Sequence, residues 1–292
     1  MTPFKDFEQV VRLDEPMGMH TWFHLGGPVE YFADPRTPDE FAALVRRARE
    51  ETIPIHMLGA GSNVLVRDEG VSGLVIRLLA PAFADIQVEG NAIRVGAGAK
   101  LSHVVTSAAH AGLAGIEQLV GVPGTFGGAL CGNTGTSSTS VGEWVESVRV
   151  MTDAGEIATQ THDELLFAYR ESGLDQSIIV DATLRLEEDD PRELARRMQK
   201  QWIMRRTSQP LGHQCAGVIF KDPLGMRAGR IISDAGLKGT RIGGAVVSER
   251  RANFIVAEPE CTSSDVLRLI DLVRDQVRER QEVELELALN IW

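Results

Sequence analysis

Two glycine-rich clusters constrain this chain more than any other feature. The first, Leu58-Gly59-Ala60-Gly61-Ser62-Asn63, follows directly on the apolar run Ile53 to Leu58 and leads into Val64. The second is Gly121-Val122-Pro123-Gly124-Thr125-Phe126-Gly127-Gly128-Ala129, with Asn133 close behind. Glycine tolerates positive φ and lets backbone N–H groups approach an anion closely. Segments of this composition supply little core and usually present their backbone to a ligand. The first cluster lacks the GxGxxG spacing that opens a Rossmann helix, and no GK[ST] of a phosphate-binding P-loop is present. Together they predict a grip on the two phosphates of one dinucleotide, with side-chain donors added by Ser62 and Asn63.

Periodicity and caps place the surrounding elements. Thr37-Pro38-Asp39-Glu40 reads as an N-cap, a proline at the first helical position and a capping-box acid, followed by Phe41, Leu44, Val45 and Ala48 at helical spacing. Asp190-Pro191-Arg192-Glu193 starts a second helix, with Leu194, Met198 and Trp202 on one face. Thr262 to Asp265 opens a third, with Val266, Leu269, Ile270, Val273 and Val277 buried. Strands are expected at Ile53 to Leu58, Leu74 to Ile76, Ile93 to Val95 and Val148 to Val150. Val283 to Ile291 alternates apolar and polar residues and reads as the clearest strand. The acidic run Glu187 to Asp190 marks the best domain boundary. The basic residues beyond it (Arg196, Arg197, Lys200, Arg205, Arg206) are expected on a solvated helix face.

Bulk properties exclude several classes. A net charge of -11 repels a polyanion, so nucleic acid is not expected as a partner. No apolar run approaches the ~18 residues of a membrane span, and no secretory leader is evident. Three widely spaced cysteines fit free thiols in a reducing cytoplasm. His20 and His24 lack a third ligand, and no HExxH or His/Cys cluster exists, so no metal is expected.

Read in order, Thr21, Gly26-Gly27-Pro28, the two glycine clusters and Asn133 closely resemble the UDP-N-acetylenolpyruvoylglucosamine reductase (UDP-N-acetylmuramate dehydrogenase) family. The likeness continues through Phe167-Ala168-Tyr169-Arg170, Gln209-Pro210-Leu211-Gly212, Phe220-Lys221-Asp222-Pro223, Ala228-Gly229, Gly236 to Gly239, Ser248 and Ala252-Asn253-Phe254. The absence of a long extra loop near the tyrosine resembles the shorter, second type of the family. The resemblance implies an α+β fold: a two-subdomain FAD-binding module of the vanillyl-alcohol-oxidase type, then a C-terminal α/β substrate domain. The expected ranges are 15–77, 78–190 and 191–292. It also implies cytoplasmic reduction of an enolpyruvyl UDP-sugar, with NADPH as co-substrate and FAD held without a covalent link. No histidine sits inside either glycine loop to carry such a link; His56 lies just before the first.

The family's site residues map unevenly. Gly59, Ala60, Gly61, Ser62, Asn63, Val64, Gly121, Val122, Pro123, Gly124, Thr125, Gly127, Gly128 and Asn133 fall on cofactor positions. Arg170 stands at the arginine that holds the substrate carboxylate, and Tyr169, Lys221 and Asp222 at substrate positions. The family's serine or cysteine acid is here Val218, and its glutamate is Ala288. Asp222 stands where asparagine is usual, an added negative charge near a UDP diphosphate. Cys215 and Glu286 are the nearest substitutes, and both are expected to be poorly placed. Three readings stay open: a reductase that is slow or altered, a flavin-binding homologue with a binding or regulatory role, and a flavoenzyme for another substrate.

Overall fold

The computed structural model describes residues 3–136, 138–210, 214–223 and 225–292. The chain forms an α+β fold that divides into two compact units, each discontinuous in sequence. The first comprises Met1–Leu13, Tyr31–Ala60 and Ser72–Met204; the second comprises Asp14–Glu30, Gly61–Val71 and Arg205–Trp292. The division passes between Ala60 and Gly61, within the first glycine cluster.

The first unit is built around a five-stranded antiparallel sheet. Its order is Ile157–Thr161, Val145–Met151, Ile178–Arg185, Ala92–Gly96, Ile86–Glu89. A parallel pair, Ile55–Leu58 against Val71–Arg77, carries the chain to the first glycine cluster. Helix α1 (Pro38–Glu50) starts as expected: Thr37 Oγ1 accepts from the Glu40 N–H at 3.2 Å, and Phe41, Leu44, Val45 and Ala48 are buried. The Glu40 carboxylate accepts instead from the Arg36 N–H, at 2.7 Å, one residue before the cap. Helix α2 (Leu101–His110) buries Leu101, Val104, Val105, Ala108 and Ala109. Helix α3 (Phe126–Cys131) grows out of the second glycine cluster.

Helix α4 (Pro191–Ser208) starts at Asp190, whose Oδ1 accepts from the Arg192 N–H at 2.8 Å. The apolar face expected on it is incomplete. Leu194 is buried and Met198 half-packed, but Trp202 is 44% exposed. Two of its basic residues are ion-paired: Arg197 with Asp189 and with the buried Glu117, Arg196 with Glu193.

The second unit has its own apolar core around Phe23, Leu65, Phe220, Ile232 and Val277. Its sheet orders Gln214–Cys215, Ile255–Ala257, Ala245–Val247 and Arg241–Ile242, all antiparallel. Helix α6 (Ser263–Gln281) packs on it, and helix α5 (Ala228–Asp234) packs against α6. The five apolar positions expected to be buried on α6 are all buried, and Thr262 and Asp265 form its capping box. Asp68 reinforces that helix start, its carboxylate accepting from the N–H groups of Ser263 (3.0 Å) and Ser264 (3.3 Å). The Gly26-Gly27 pair permits close backbone approach: a Cβ on Gly26 would lie 2.6 Å from Val66 Cβ, and one on Gly27 would lie 2.2 Å from the Asp68 carbonyl oxygen.

The expected long C-terminal strand is broken. Only Asn290–Ile291 pairs as a strand, in parallel with Val64–Leu65, while Leu287 makes a single bridge to Phe220. Alternation survives in burial, with Leu285 and Leu289 inside and Glu286 and Asn290 outside. The segment thus obeys a period of two without one continuous neighbour.

Asp181 is a buried charged group on the five-stranded sheet. It accepts from Arg149 Nε at 2.8 Å and Arg94 Nη2 at 3.1 Å, and its side chain is 10% exposed. Burial pushes its carboxyl up, but the hydrogen bonds and charges of Arg149 and Arg94 outweigh this and hold it below the ordinary 3.8. A carboxyl lowered on folding stabilises above its unfolded-state value and loses that contribution as pH falls through the folded-state one. Asp181→Asn is therefore expected to cost about 2 kcal/mol at neutral pH. Urea unfolding should show the gap to the native protein closing as pH drops below about 3.8.

Candidate functional site

The two glycine clusters meet within the first unit. A Cβ built on Gly59 would lie 2.5 Å from Thr125 Oγ1, so the backbone of the first cluster rests directly on the second. Gly121 and Gly124 have φ of 77° and 130°, left-handed conformations that only glycine adopts freely. Thr125 then caps α3, its Oγ1 accepting from the Gly128 N–H at 3.4 Å. Gly127 sits with its Cα against Ala97, where a Cβ would come within 2.9 Å of the alanine methyl. The second cluster is thus a loop running into a helix start, which places N–H groups and the positive end of a short helix beside the first loop. Bare backbone from both clusters in one place is what the diphosphate of FAD requires, and the residues present fit it.

Beyond Ala60, the first cluster belongs to the second unit and is pinned there. Asn63 Nδ2 donates to the Ala288 carbonyl at 2.7 Å, and the Asn63 carbonyl accepts from Asn290 N–H at 3.1 Å. The Ser62 carbonyl accepts from Gly217 N–H at 2.9 Å. One of the amide hydrogens of Asn63 expected for the ligand is therefore already committed to the backbone. Val64 begins the short strand beside Asn290.

A cavity of about 660 Å³ opens in the first unit beside the Tyr169-Arg170 turn. Ala168 and Glu171 exchange backbone hydrogen bonds of 2.9 and 3.1 Å, making Tyr169 and Arg170 the tip. Arg170 holds φ at 61°, a conformation that costs a non-glycine residue on the order of 1 kcal/mol. Asn133 stabilises the turn. Buried and itself at φ 35°, it donates from Nδ2 to the Ala168 carbonyl at 2.7 Å and accepts at Oδ1 from Gly142 N–H at 3.0 Å. Its side chain holds the Tyr169-Arg170 turn in place. Tyr169 is 53% exposed, and among the described residues the Arg170 guanidinium has no hydrogen-bond or ion-pair partner. A cation held in a strained turn beside a cavity can take a carboxylate through two parallel hydrogen bonds.

The rest of the cavity wall escaped sequence reasoning. It carries the hydroxyls of Thr136, Ser138, Thr139 and Ser140, together with Glu143, His162 and Phe167. Glu143 accepts from Thr139 Oγ1 at 3.0 Å and from Ser140 N–H at 3.0 Å. Phe167 lies so close over Gly142 that a Cβ there would come within 2.4 Å of the ring. The dense Thr/Ser run from Thr134 to Ser140 was the available signal.

In the second unit, Ile219 to Lys221 pairs with Glu286 to Ala288. Ala288 N–H donates to the Ile219 carbonyl and Lys221 N–H to the Glu286 carbonyl, both at 2.8 Å. Val218 therefore lies immediately before the residue that bonds Ala288. Buried Asn253 fixes the segment by accepting from Phe220 N–H at 2.9 Å and donating to the Phe220 carbonyl at 2.8 Å. Lys221 Nζ lies 3.4 Å from Glu286 Oε2. Asp222 is occupied structurally, accepting from Ala228 N–H at the start of α5 at 2.9 Å. Cys215 is buried in the sheet with its sulfur 3.8 Å from the Pro210 carbonyl oxygen, and burial pushes its thiol up to about 11. Leu211 and Gly212 of the sequence motif lie outside the described residues. Among the described residues no His/Cys/Asp/Glu group could hold a metal, and no helix is long and apolar enough to cross a membrane. His20 Nε2 contacts Glu15 Oε1 at 2.8 Å.

Comparison with known proteins agrees with this geometry. The family model "FAD binding domain" matches residues 29–160, and the C-terminal domain model of UDP-N-acetylenolpyruvoylglucosamine reductase matches residues 209–292. The reductase of Rhodopirellula baltica is 37% identical over 288 residues, covering 99% of this chain and 94% of the relative. A protein named UDP-N-acetylenolpyruvoylglucosamine reductase 2, from Symbiobacterium thermophilum, is 40% identical over 284 residues, covering 97% and 92%. The crystal structure of the Thermus caldophilus reductase superimposes with a TM-score of 0.83 at 37% identity, covering 97% of this chain and 98% of that one. Matched to these reductases along almost its whole length, the chain belongs to the UDP-N-acetylenolpyruvoylglucosamine reductase family.

Proposed function

We propose that this chain is an FAD-dependent, NADPH-using reductase that converts UDP-N-acetylglucosamine enolpyruvate to UDP-N-acetylmuramate for peptidoglycan synthesis. The observation that carries this reading is the near full-length likeness to named reductases, with both glycine clusters built into one backbone cradle. In this reading 15–77 and 78–190 hold FAD and 191–292 serves the substrate. When bound, FAD supplies hydride exchange between NADPH and the enolpyruvyl group. Gly59, Ala60, Gly61, Ser62, Asn63, Val64, Gly121, Val122, Pro123, Gly124, Thr125, Gly127, Gly128 and Asn133 hold it. Arg170 holds the substrate carboxylate as negative charge builds there, with Tyr169 beside it, and Lys221 and Asp222 meet the UDP-sugar.

Val218 and Ala288 favour a second reading, a flavin-binding homologue in which the reductase step has been lost. Valine has no proton to give and alanine no carboxylate. The nearby groups do not restore them in place: Cys215 is buried and a weak acid, and Glu286 lies against Lys221. Loss of a positioned acid costs ~10²–10⁴ in rate. Reduction of the flavin by NADPH needs neither residue.

Gly59→Ala forces a Cβ into Thr125 and is expected to weaken FAD binding at least tenfold, read as flavin fluorescence on titrating apoprotein. In anaerobic stopped flow, Val218→Ser with Ala288→Glu should speed reoxidation of reduced flavin by the enolpyruvyl UDP-sugar by ~10²-fold or more. Flavin reduction by NADPH should change little. Native protein that already reoxidises as fast as the double variant would show that neither substitution limits the reaction. Native protein that takes up FAD but gives the substrate no electrons, even as the double variant, would favour the second reading.

A further inference from the structure

Reduction of the enolpyruvyl group consumes a proton at the carbon beside the carboxylate, and neither Val218 nor Ala288 can deliver one. We infer that His162 delivers it, an inference that rests on the reductase reading above. His162 opens the turn His162–Glu164, whose capping box joins Thr161 and Glu164. Its Nδ1 lies 2.9 Å from the Val145 carbonyl oxygen. A carbonyl only accepts, so the proton of the neutral ring sits on Nδ1 and Nε2 carries the lone pair. Phe167 stacks on the imidazole, with ring centroids 5.9 Å apart and planes at 26°. The ring is thus held on two sides while lining the same cavity as Tyr169 and Arg170. Among the described residues Nε2 has no hydrogen-bond partner, so it is the atom available to a ligand.

The charged groups around the ring leave this role open to it. Arg170 shares the cavity and is committed to the substrate carboxylate. Glu143 is bonded to Thr139 and Ser140, and Glu164 to Thr161, while Asp163 follows on the turn itself. The strand behind the ring contributes the Val145 carbonyl. Histidine is the side chain that most often serves as general acid, giving up a proton as imidazolium.

Atoms and charge balance in one step. Hydride, for which NADPH is the source, would add to the methylene carbon and leave an electron pair on the carbon beside the carboxylate. The Nε2–H bond of the imidazolium breaks, a C–H bond forms at that carbon, and neutral imidazole remains. His162 is exposed and regains its proton from water.

The test uses the FAD-loaded protein and His162→Asn. Asparagine reproduces the Nδ1–H donor toward Val145 but has nothing at Nε2, so the turn is kept and the acid removed. Reoxidation of NADPH-reduced protein by the enolpyruvyl UDP-sugar should fall by ~10²-fold or more. In His162→Ala, added imidazole should restore part of the rate. Independently of turnover, the ¹⁵Nε2 resonance of His162 in native protein should shift on addition of UDP-N-acetylmuramate. His162→Asn reoxidising within threefold of native, or an unmoved Nε2 resonance, overturns the inference alone. Native protein that the substrate does not reoxidise at all overturns the reductase reading and the inference together.

Discussion

Contact between Gly59 and Thr125, with 2.5 Å left for a side-chain carbon that neither neighbour could accommodate, sets the geometry on which the first unit's site depends. Thr125 is held from behind: Gly124 accepts from Leu101 N–H at 3.1 Å, and Phe126 donates to the Ala99 carbonyl at 2.8 Å. Gly127 is held against Ala97 by a further backbone bond of 2.8 Å. The second loop is therefore an ordered piece of backbone lying on the sheet and α2. Its glycines lose much conformational freedom on folding. The buried core of the first unit, which includes Phe126, Ala129 and Leu130 of α3, offsets that loss.

The second unit solves a related problem with side-chain amides. Its short segments cannot satisfy their own backbone groups through long ladders, and buried N–H and C=O groups need partners. Asn253 supplies both for Phe220, and Asn63 supplies one for Ala288. The segment from Val218 to Lys221 is thereby fixed through its main chain, whatever side chain stands at 218. A valine there leaves the backbone bonding of the segment in place.

Much of this was legible in the sequence. The caps of α1 and α6 and the buried face of α6 follow from local rules that act within one turn. The glycine clusters announced a ligand-facing backbone. Other features were hidden for physical reasons. Helix α2 has apolar residues at helical spacing but no side-chain cap, so no start signal marked it. Helix α3 hides in a glycine cluster, where low helix propensity is overridden by packing against Ala97 and Ala99. The C-terminal segment shows a period of two, but period alone does not reveal that its partners are two separate short segments. The engagement of Asn133 with Ala168 and Gly142 depends on contacts far apart in sequence, and the roles of His162 and Phe167 emerge only once the turn is folded. The strain at Arg170 is likewise a property of the closed turn and not of any residue type.

The central claim is that this backbone cradle and the Arg170 turn still perform the family's reduction despite Val218 and Ala288. A single-turnover experiment tests it most directly: FAD-loaded protein, reduced anaerobically with one equivalent of NADPH, is mixed with the enolpyruvyl UDP-sugar and the products are weighed by mass spectrometry. The account predicts UDP-N-acetylmuramate, two mass units heavier than the substrate, forming slowly to one equivalent per flavin. Fully reduced flavin persisting beside unchanged substrate would contradict it.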